Sequence, residues 1–228
     1  MRPDCLRTTV AWPMLLTLLL ACRPAVAAPP SDPPSADAPE ARASQADVPP
    51  PRAVRVLVVY YSYSKYKNTE RFARSVAEGA GQVPGAVAVI RRVEEATKED
   101  LQSADALALG CPTYFGNVPG KMKVVIDDWN WKWKVDFTDK VGGAFSTGSG
   151  QVGGKEFVIV SLLMFMLNNR MIVAGPLYQD AEKGSIWAEA GAAAMTGPLD
   201  LGVGEHELDA ARRLGRRLAR LARKLRSD

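Results

Sequence analysis

The stretch ADALALGCPTYFGN, residues 104–117, joins an apolar run to a loop of mixed ring and hydrogen-bonding side chains. Ala104–Leu109, closed by Gly110-Cys111-Pro112, reads as a buried parallel strand, so the loop lies at that strand's carboxyl end. Open α/β sheets take their ligands at that end. Pro112 stiffens the loop, and Gly116 lets the backbone come close to a flat ligand. Tyr114 and Phe115 offer ring faces; Thr113 and Asn117 offer hydrogen bonds.

Strand and helix patterns alternate on both sides of this stretch. Val54–Tyr60 (VRVLVVY) is a near-continuous apolar run with four β-branched valines, as in a strand covered on both faces. Asn68–Gly81 sets Phe72, Ala73, Val76 and Ala80 on one helical face and ends at a glycine. Ala86–Arg91 is a second strand, Thr97–Ser103 a short helix with Thr97 and Asp100 spaced for a capping box, and Ala104–Gly110 the third strand. Val118–Trp129 is helical with Met122, Val125 and Ile126 inward; Val141–Ser146 is the fourth strand and Gly153–Leu167 the next helix. Met171–Ala174 is the fifth strand. Glu205–Arg226 is a final helix with Leu208, Ala211, Leu214, Leu218, Leu221 and Leu225 at spacings of three and four. Such alternation predicts an α/β sandwich of three layers with right-handed crossovers. Five strands favour a parallel sheet in the order 2-1-3-4-5 over a six-stranded dinucleotide fold, and no Gly-x-Gly-x-x-Gly follows the first strand.

The 228 residues divide into three parts. Residues 1–27 pair a short basic segment with the apolar run Thr8–Ala21 and end in Ala25-Val26-Ala27, an export signal too short to span a bilayer as a mature helix. Two readings of this leader stand side by side: release after Ala27, or lipidation at Cys22, which follows Leu19-Leu20-Ala21. The expected location is accordingly periplasmic, or lipid-anchored at a membrane surface. Residues 28–53 hold eight of the sixteen prolines and almost no large apolar side chain, so they read as a disordered linker. In polyproline form it would extend about 3.1 Å per residue. Residues 54–228 form one domain, large enough to bury roughly 70% of its unfolded surface.

Cys111 is the domain's only cysteine and His206 its only histidine, which excludes an internal disulfide and a structural zinc site. The whole chain carries a net charge of +4; residues 1–27 hold Arg2, Arg7, Arg23 and Asp4, leaving +2 once they are set aside. No nucleic-acid partner is expected from that balance.

In the 2-1-3-4-5 order, the loops after strands one, three and four converge. The first, residues 61–69 (YSYSKYKNT), supplies Ser62, Ser64, Asn68 and Thr69 at a helix start, with Lys65 and Lys67 beside them, which suits a phosphate. The second is Pro112, Thr113, Tyr114, Phe115, Gly116 and Asn117. The third is Ser146, Thr147, Gly148, Ser149, Gly150, Gln151, Val152, Gly153 and Gly154, whose four glycines expose backbone amides to a ligand edge. A phosphate cradle, a ring-binding loop and an amide-rich loop together describe FMN.

These motifs resemble the flavodoxin-like NAD(P)H:quinone oxidoreductases of the WrbA type, relatives of the NADPH-dependent FMN reductases, across about residues 54–225. The resemblance rests on VLVVYYSYS…NTERFA, ADALALGCPTYFGNVPGKMKVVIDD, GGAFSTGSGQVGGKE and the closing ELDAARRLGRRLARLA. It implies a flavodoxin-like sandwich holding FMN, with the phosphate at Ser62, Ser64, Asn68 and Thr69 and the ring between Pro112–Asn117 and Ser146–Gly154. It also implies hydride transfer from NAD(P)H through FMN to a quinone or other small electron acceptor, and a homodimer or homotetramer. The flavin carries such chemistry, so no catalytic acid/base pair is required, and none is assigned. The chain departs from the family pattern at Lys65-Tyr66-Lys67, where one glycine is common. It departs again at Gln151, Asn168 and Asn169, near which histidines are frequent, and at Tyr114, often an arginine. Two other readings remain: a flavodoxin-type electron carrier, and a flavodoxin-fold binding module that has lost FMN.

Four features are secondary. Trp129, Trp131 and Trp133 alternate as if on one side of an extended stretch, walling the pocket or a subunit contact. Val158–Met166 reads as a wholly buried helix. The arginines of the last helix read as a solvated face or one that meets anionic lipid. Cys111 reads as a small buried residue rather than a nucleophile.

Overall fold

The computed structural model describes residues 52–177, 190–197 and 202–226. The leader, the Cys22 lipidation and most of the linker lie outside them. Val54–Tyr60 (β1), Asn68–Gly81 (α1), Ala86–Arg92 (β2), Lys98–Ser103 (α2), Ala106–Pro112 (β3), Gly120–Trp131 (α3), Val141–Gly148 (β4) and Lys155–Asn168 (α4) follow in turn. Ile172–Val173 (β5), Ala192–Met195 (β6) and Glu205–Leu225 (α5) complete the domain.

The strands pair in the order β2-β1-β3-β4-β5, all parallel, with β6 also on β4. β5 pairs with the first residues of β4 (Val141↔Ile172) and β6 with its last (Phe145↔Ala192 to Gly148↔Met195). The fifth position of the sheet is therefore one row made of two short strands. Sequence reading found only the first piece, because AAAM has little β propensity.

Alternation along β1 separates two cores. Val54, Val56, Val58 and Tyr60 join Phe72 and Val76 of α1 and Leu208, Leu214 and Leu218 of α5. Leu57 and Val59 face the opposite layer, with Leu101 of α2, Met122, Ile126 and Trp129 of α3, and Val158, Leu162 and Met166 of α4. α1 and α5 cross at backbone contact: a Cβ on Gly215 would lie 2.8 Å from the Ala80 nitrogen and closer still to the Val76 oxygen, and one on Gly79 would meet the Arg212 carbonyl.

Three expectations are corrected. Trp129 and Trp131 belong to α3, and the three indoles do not share a side: Trp129 is buried, Trp133 half-buried, and Trp131 is 76% exposed with the Lys134 ammonium 5.6 Å from its ring. Nor is α4 buried all round. Val158, Ile159, Leu162 and Met166 face the core, while Phe157, Val160, Met164 and Leu167 form an exposed apolar stripe. Strands β3 and β4 also run past their expected ends, because Cys111↔Ser146 and Pro112↔Thr147 continue the ladder.

The capping box at α2 is present: Thr97 Oγ1 accepts from the Asp100 N–H, and Asp100 accepts in return from Thr97. Asp100 also accepts from Arg55 and Arg91 at 3.0 and 2.9 Å. Burial alone would raise its carboxyl pKa, but the bonds from Arg91, the Thr97 backbone and Arg55 outweigh it and hold the group below its ordinary value. That stabilisation is complete above the unfolded pKa and is lost as the pH falls through the folded one. Asp100→Asn should therefore cost about 2 kcal/mol in urea unfolding at neutral pH. The deficit against wild type should shrink as the pH drops below about 4.

Candidate active site

The turn from β1 into α1 determines where the first cluster sits. Ser64 O accepts from the Lys67 N–H at 3.1 Å and Ser64 Oγ from the Tyr66 N–H at 3.1 Å, and Lys67 takes a left-handed conformation (φ 53°) that starts the helix. Lys65 and Tyr66 stay in solvent, stacked cation on ring at 4.9 Å. The three-residue departure is thus taken up by a closed turn, and Ser64, Asn68 and Thr69 still meet in one cavity. That cavity has a volume of about 300 Å³ and is also lined by Pro112, Thr113, Tyr114, Thr147, Gly148, Ser149 and Thr196.

The loops are tied to each other. Thr69 Oγ1 and Thr147 Oγ1 lie 2.7 Å apart and share a hydrogen bond, joining α1 to the end of β4. The Thr113 hydroxyl donates to Gly153 O at 3.1 Å, and its N–H donates to Thr147 O at 2.8 Å. Tyr114 and Asn117 exchange backbone bonds of 2.9 and 3.0 Å around Phe115 and Gly116, both at positive φ, the pattern of a primed hairpin turn. Phe115 is fully exposed at the tip. Gly154 (φ 84°) packs on that hairpin so closely that a Cβ would fall 2.6 Å from Gly116 Cα. Lys155, only 5% exposed, turns its ammonium back to Gly150 O (2.6 Å) and Gln151 O (3.3 Å), bracing the glycine loop.

Nine residues expected from sequence line the cavity: Ser64, Asn68, Thr69, Pro112, Thr113, Tyr114, Thr147, Gly148 and Ser149. Ser62, Phe115, Gly116, Asn117, Ser146, Gly150, Gly153 and Gly154 do not line it. Ser62 is buried and its carbonyl accepts from Arg92; Ser146 is buried with its hydroxyl on Cys111 O. The others form the hairpin and the loop behind it. Thr196, at the end of β6, is an unexpected member, held by its N–H on Gly148 O at 2.9 Å. No sequence signal pointed to it, since its strand went unrecognised.

Tyr114 lies edge-on to Tyr61, ring centroids 6.3 Å apart. Burial, then the neighbouring phenols, raises the Tyr114 pKa; burial, then Glu94, raises that of Tyr61. Both phenols stay protonated; Tyr114 is a neutral wall of the cavity, and Tyr61 packs behind it. Burial pushes the Cys111 thiol up to about 12, so it offers no thiolate beside Pro112.

A phosphate-bearing flavin fits this set. No lining side chain carries a charge, so an anion meets no carboxylate, while three hydroxyls (Ser64, Thr69, Thr147) and the amino end of α1 face the same space. Pro112, Thr113 and Tyr114 of the hairpin and Gly148 and Ser149 of the glycine loop border the same cavity. A larger cavity, about 440 Å³, opens at the amino ends of the strands between Asp105, Lys140 and Arg226. There Lys140 donates to Gln102 O and Ala104 O, and Asp105 accepts from Arg52 and the Arg55 N–H.

Comparison with known proteins agrees. Residues 92–183 match the family model described as NADPH-dependent FMN reductase. The chain is 33% identical over 205 residues to a NAD(P)H dehydrogenase (quinone) of Solidesulfovibrio magneticus, covering 76% of this chain and 100% of that protein. It is 38% identical over 165 residues to a flavodoxin of Aquifex aeolicus, covering 72% of this chain and 85% of that one. Among solved structures, a WrbA-like flavodoxin from Agrobacterium tumefaciens shares the fold, with a TM-score of 0.58 at 24% identity over 75% of this chain and 99% of that one. Sheet order and relatives converge: the chain belongs to the flavodoxin-like NAD(P)H dehydrogenase (quinone) family and is a redox enzyme of that family.

Proposed function

We propose that the protein binds FMN in the cavity between β1, β3 and β4 and passes hydride from NAD(P)H to a quinone-type acceptor in two half-reactions. The observation that carries this is the uncharged, hydroxyl-rich cavity at the amino end of α1, closed on one side by the Thr69–Thr147 bond. Ser64, Asn68, Thr69 and Thr147 would hold the phosphate; Thr113, Tyr114, Gly148 and Ser149 would border the ring. Bound FMN supplies the hydride acceptance and release. The protein's part is position: Thr113 fixes the spacing of the two ring loops, Lys155 stiffens the glycine loop, and Tyr114 against Tyr61 shields one side from water.

Titrating the purified protein with FMN should give saturable binding at about micromolar affinity or tighter. NADH or NADPH should then bleach the bound flavin, and a quinone should restore its colour. A flavin that binds but is not bleached would favour the electron-carrier reading, which the Aquifex aeolicus flavodoxin likeness supports. Absence of binding at millimolar FMN would leave the binding-module reading. The leader supports export, with periplasmic release or lipid attachment at Cys22; an unprocessed amino terminus on the mature protein would refute it. The exposed stripe Phe157, Val160, Met164 and Leu167 supports self-association as a dimer or tetramer, which a monomeric mass in solution would overturn.

A further inference from the structure

Between Ala210 and Arg226 the sequence holds seven arginines, one lysine and no acid. The fold spends only some of these cations. Arg212 bonds Glu205 and lies near Glu78; Arg213 bonds Asp209 at 2.6 Å; Arg216 donates to Gln82 at 2.8 Å. Arg217, Arg220 and Lys224 make no hydrogen bond or ion pair with any described residue. At 100° per residue they fall within a narrow arc on the side of α5 that faces away from the sheet. Leu225, 47% exposed, adjoins them.

The geometry points to this face as a docking surface for an anionic phospholipid membrane. Guanidinium groups match phosphate oxygens bidentately, and a row of unpaired cations on a straight helix suits a flat array of phosphates better than a single pocketed anion. Position adds a second argument. Arg226, the carboxyl-terminal cap of α5, donates to Arg52 O at 2.9 Å, so the 51 residues that precede Arg52 join the domain at this end of α5. Those residues include Cys22, and a chain held through a lipid there would present these cations to the leaflet that holds the tether. α5 runs from the carboxyl to the amino ends of the strands, so the cavity stays clear of the docked face. The enzyme would then meet soluble reactants while resting on lipid. This inference does not depend on the flavin reading.

The test is flotation of the full-length protein with vesicles of phosphatidylcholine alone or with about one third phosphatidylglycerol. The anionic vesicles should bind more strongly, and the preference should fade in high salt. Arg217→Gln/Arg220→Gln/Lys224→Gln should weaken anionic-vesicle binding on the order of 100-fold while leaving the thermal midpoint in place. Equal binding to both vesicle types would place the attachment in the apolar leader and overturn the proposal. So would an anionic preference that survives the triple substitution, or no binding at all. Retention on heparin without vesicle binding would assign the face to a polyanionic macromolecule and overturn the lipid reading.

Discussion

Gly215→Ala should lower the stability of the protein by about 2–4 kcal/mol, one of the largest losses any methyl group can cause here. The new Cβ would stand 2.8 Å from the Ala80 nitrogen and closer to the Val76 oxygen, and both are backbone atoms of α1 that no rotamer change can move. Gly79 makes the reciprocal approach to the Arg212 carbonyl, so the two helices are in contact along their main chains. Relief requires α5 to shift outward and to loosen Leu214 and Leu218 from β1 and β4. Alanine has the better helix propensity by about 1 kcal/mol, so the intrinsic preference works against the predicted sign. A urea midpoint for Gly215→Ala equal to or above wild type would show that α1 and α5 can part without loss.

That crossing illustrates what the sequence carried and what it did not. Element order was legible because β1 is a valine-rich apolar run and α1 and α5 keep a strict apolar period; β1 and α1 have the bounds their patterns implied. Nothing in the sequence marked Gly79 and Gly215 as partners, since a glycine inside a helix reads only as a weak point until the second helix is in place. The three loops at the carboxyl ends of β1, β3 and β4 were legible from their turn residues. Thr196 was not, because β6 is a run of alanines whose strand state comes from β4, its neighbour in the sheet. α4 misled for a related reason: an all-apolar segment has no period from which to read its buried side, and only packing shows that Phe157 and Met164 face outward. The tryptophans failed through a wrong period, an alternation of two taken from residues that lie at a helix end.

Gly154→Val should abolish most FMN affinity, about a 100-fold rise in Kd, while leaving the fold intact. Gly154 is at φ 84°, where a β-branched residue is strained by roughly 1–2 kcal/mol, and its Cβ would fall 2.6 Å from Gly116 Cα. The clash is between backbones, so the hairpin at Tyr114–Asn117 and the loop ahead of α4 must separate. Their separation stretches the Thr113-to-Gly153 bond of 3.1 Å, which fixes the distance between the two loops, and strains the Lys155-to-Gly150 bond that braces the glycine loop. Both cores lie beneath the sheet ends and are untouched, so far-ultraviolet circular dichroism should match wild type. Thr69→Val gives the complementary result. It removes one hydroxyl from the phosphate end and leaves the Thr147 hydroxyl without its partner, weakening FMN by about tenfold with the ring loops still in register. If Gly154→Val binds FMN like wild type while Thr69→Val does not, the phosphate end alone holds the cofactor. Bleaching by NADPH at a wild-type rate in Gly154→Val would further show that the spacing of the two loops does not set the position of the ring.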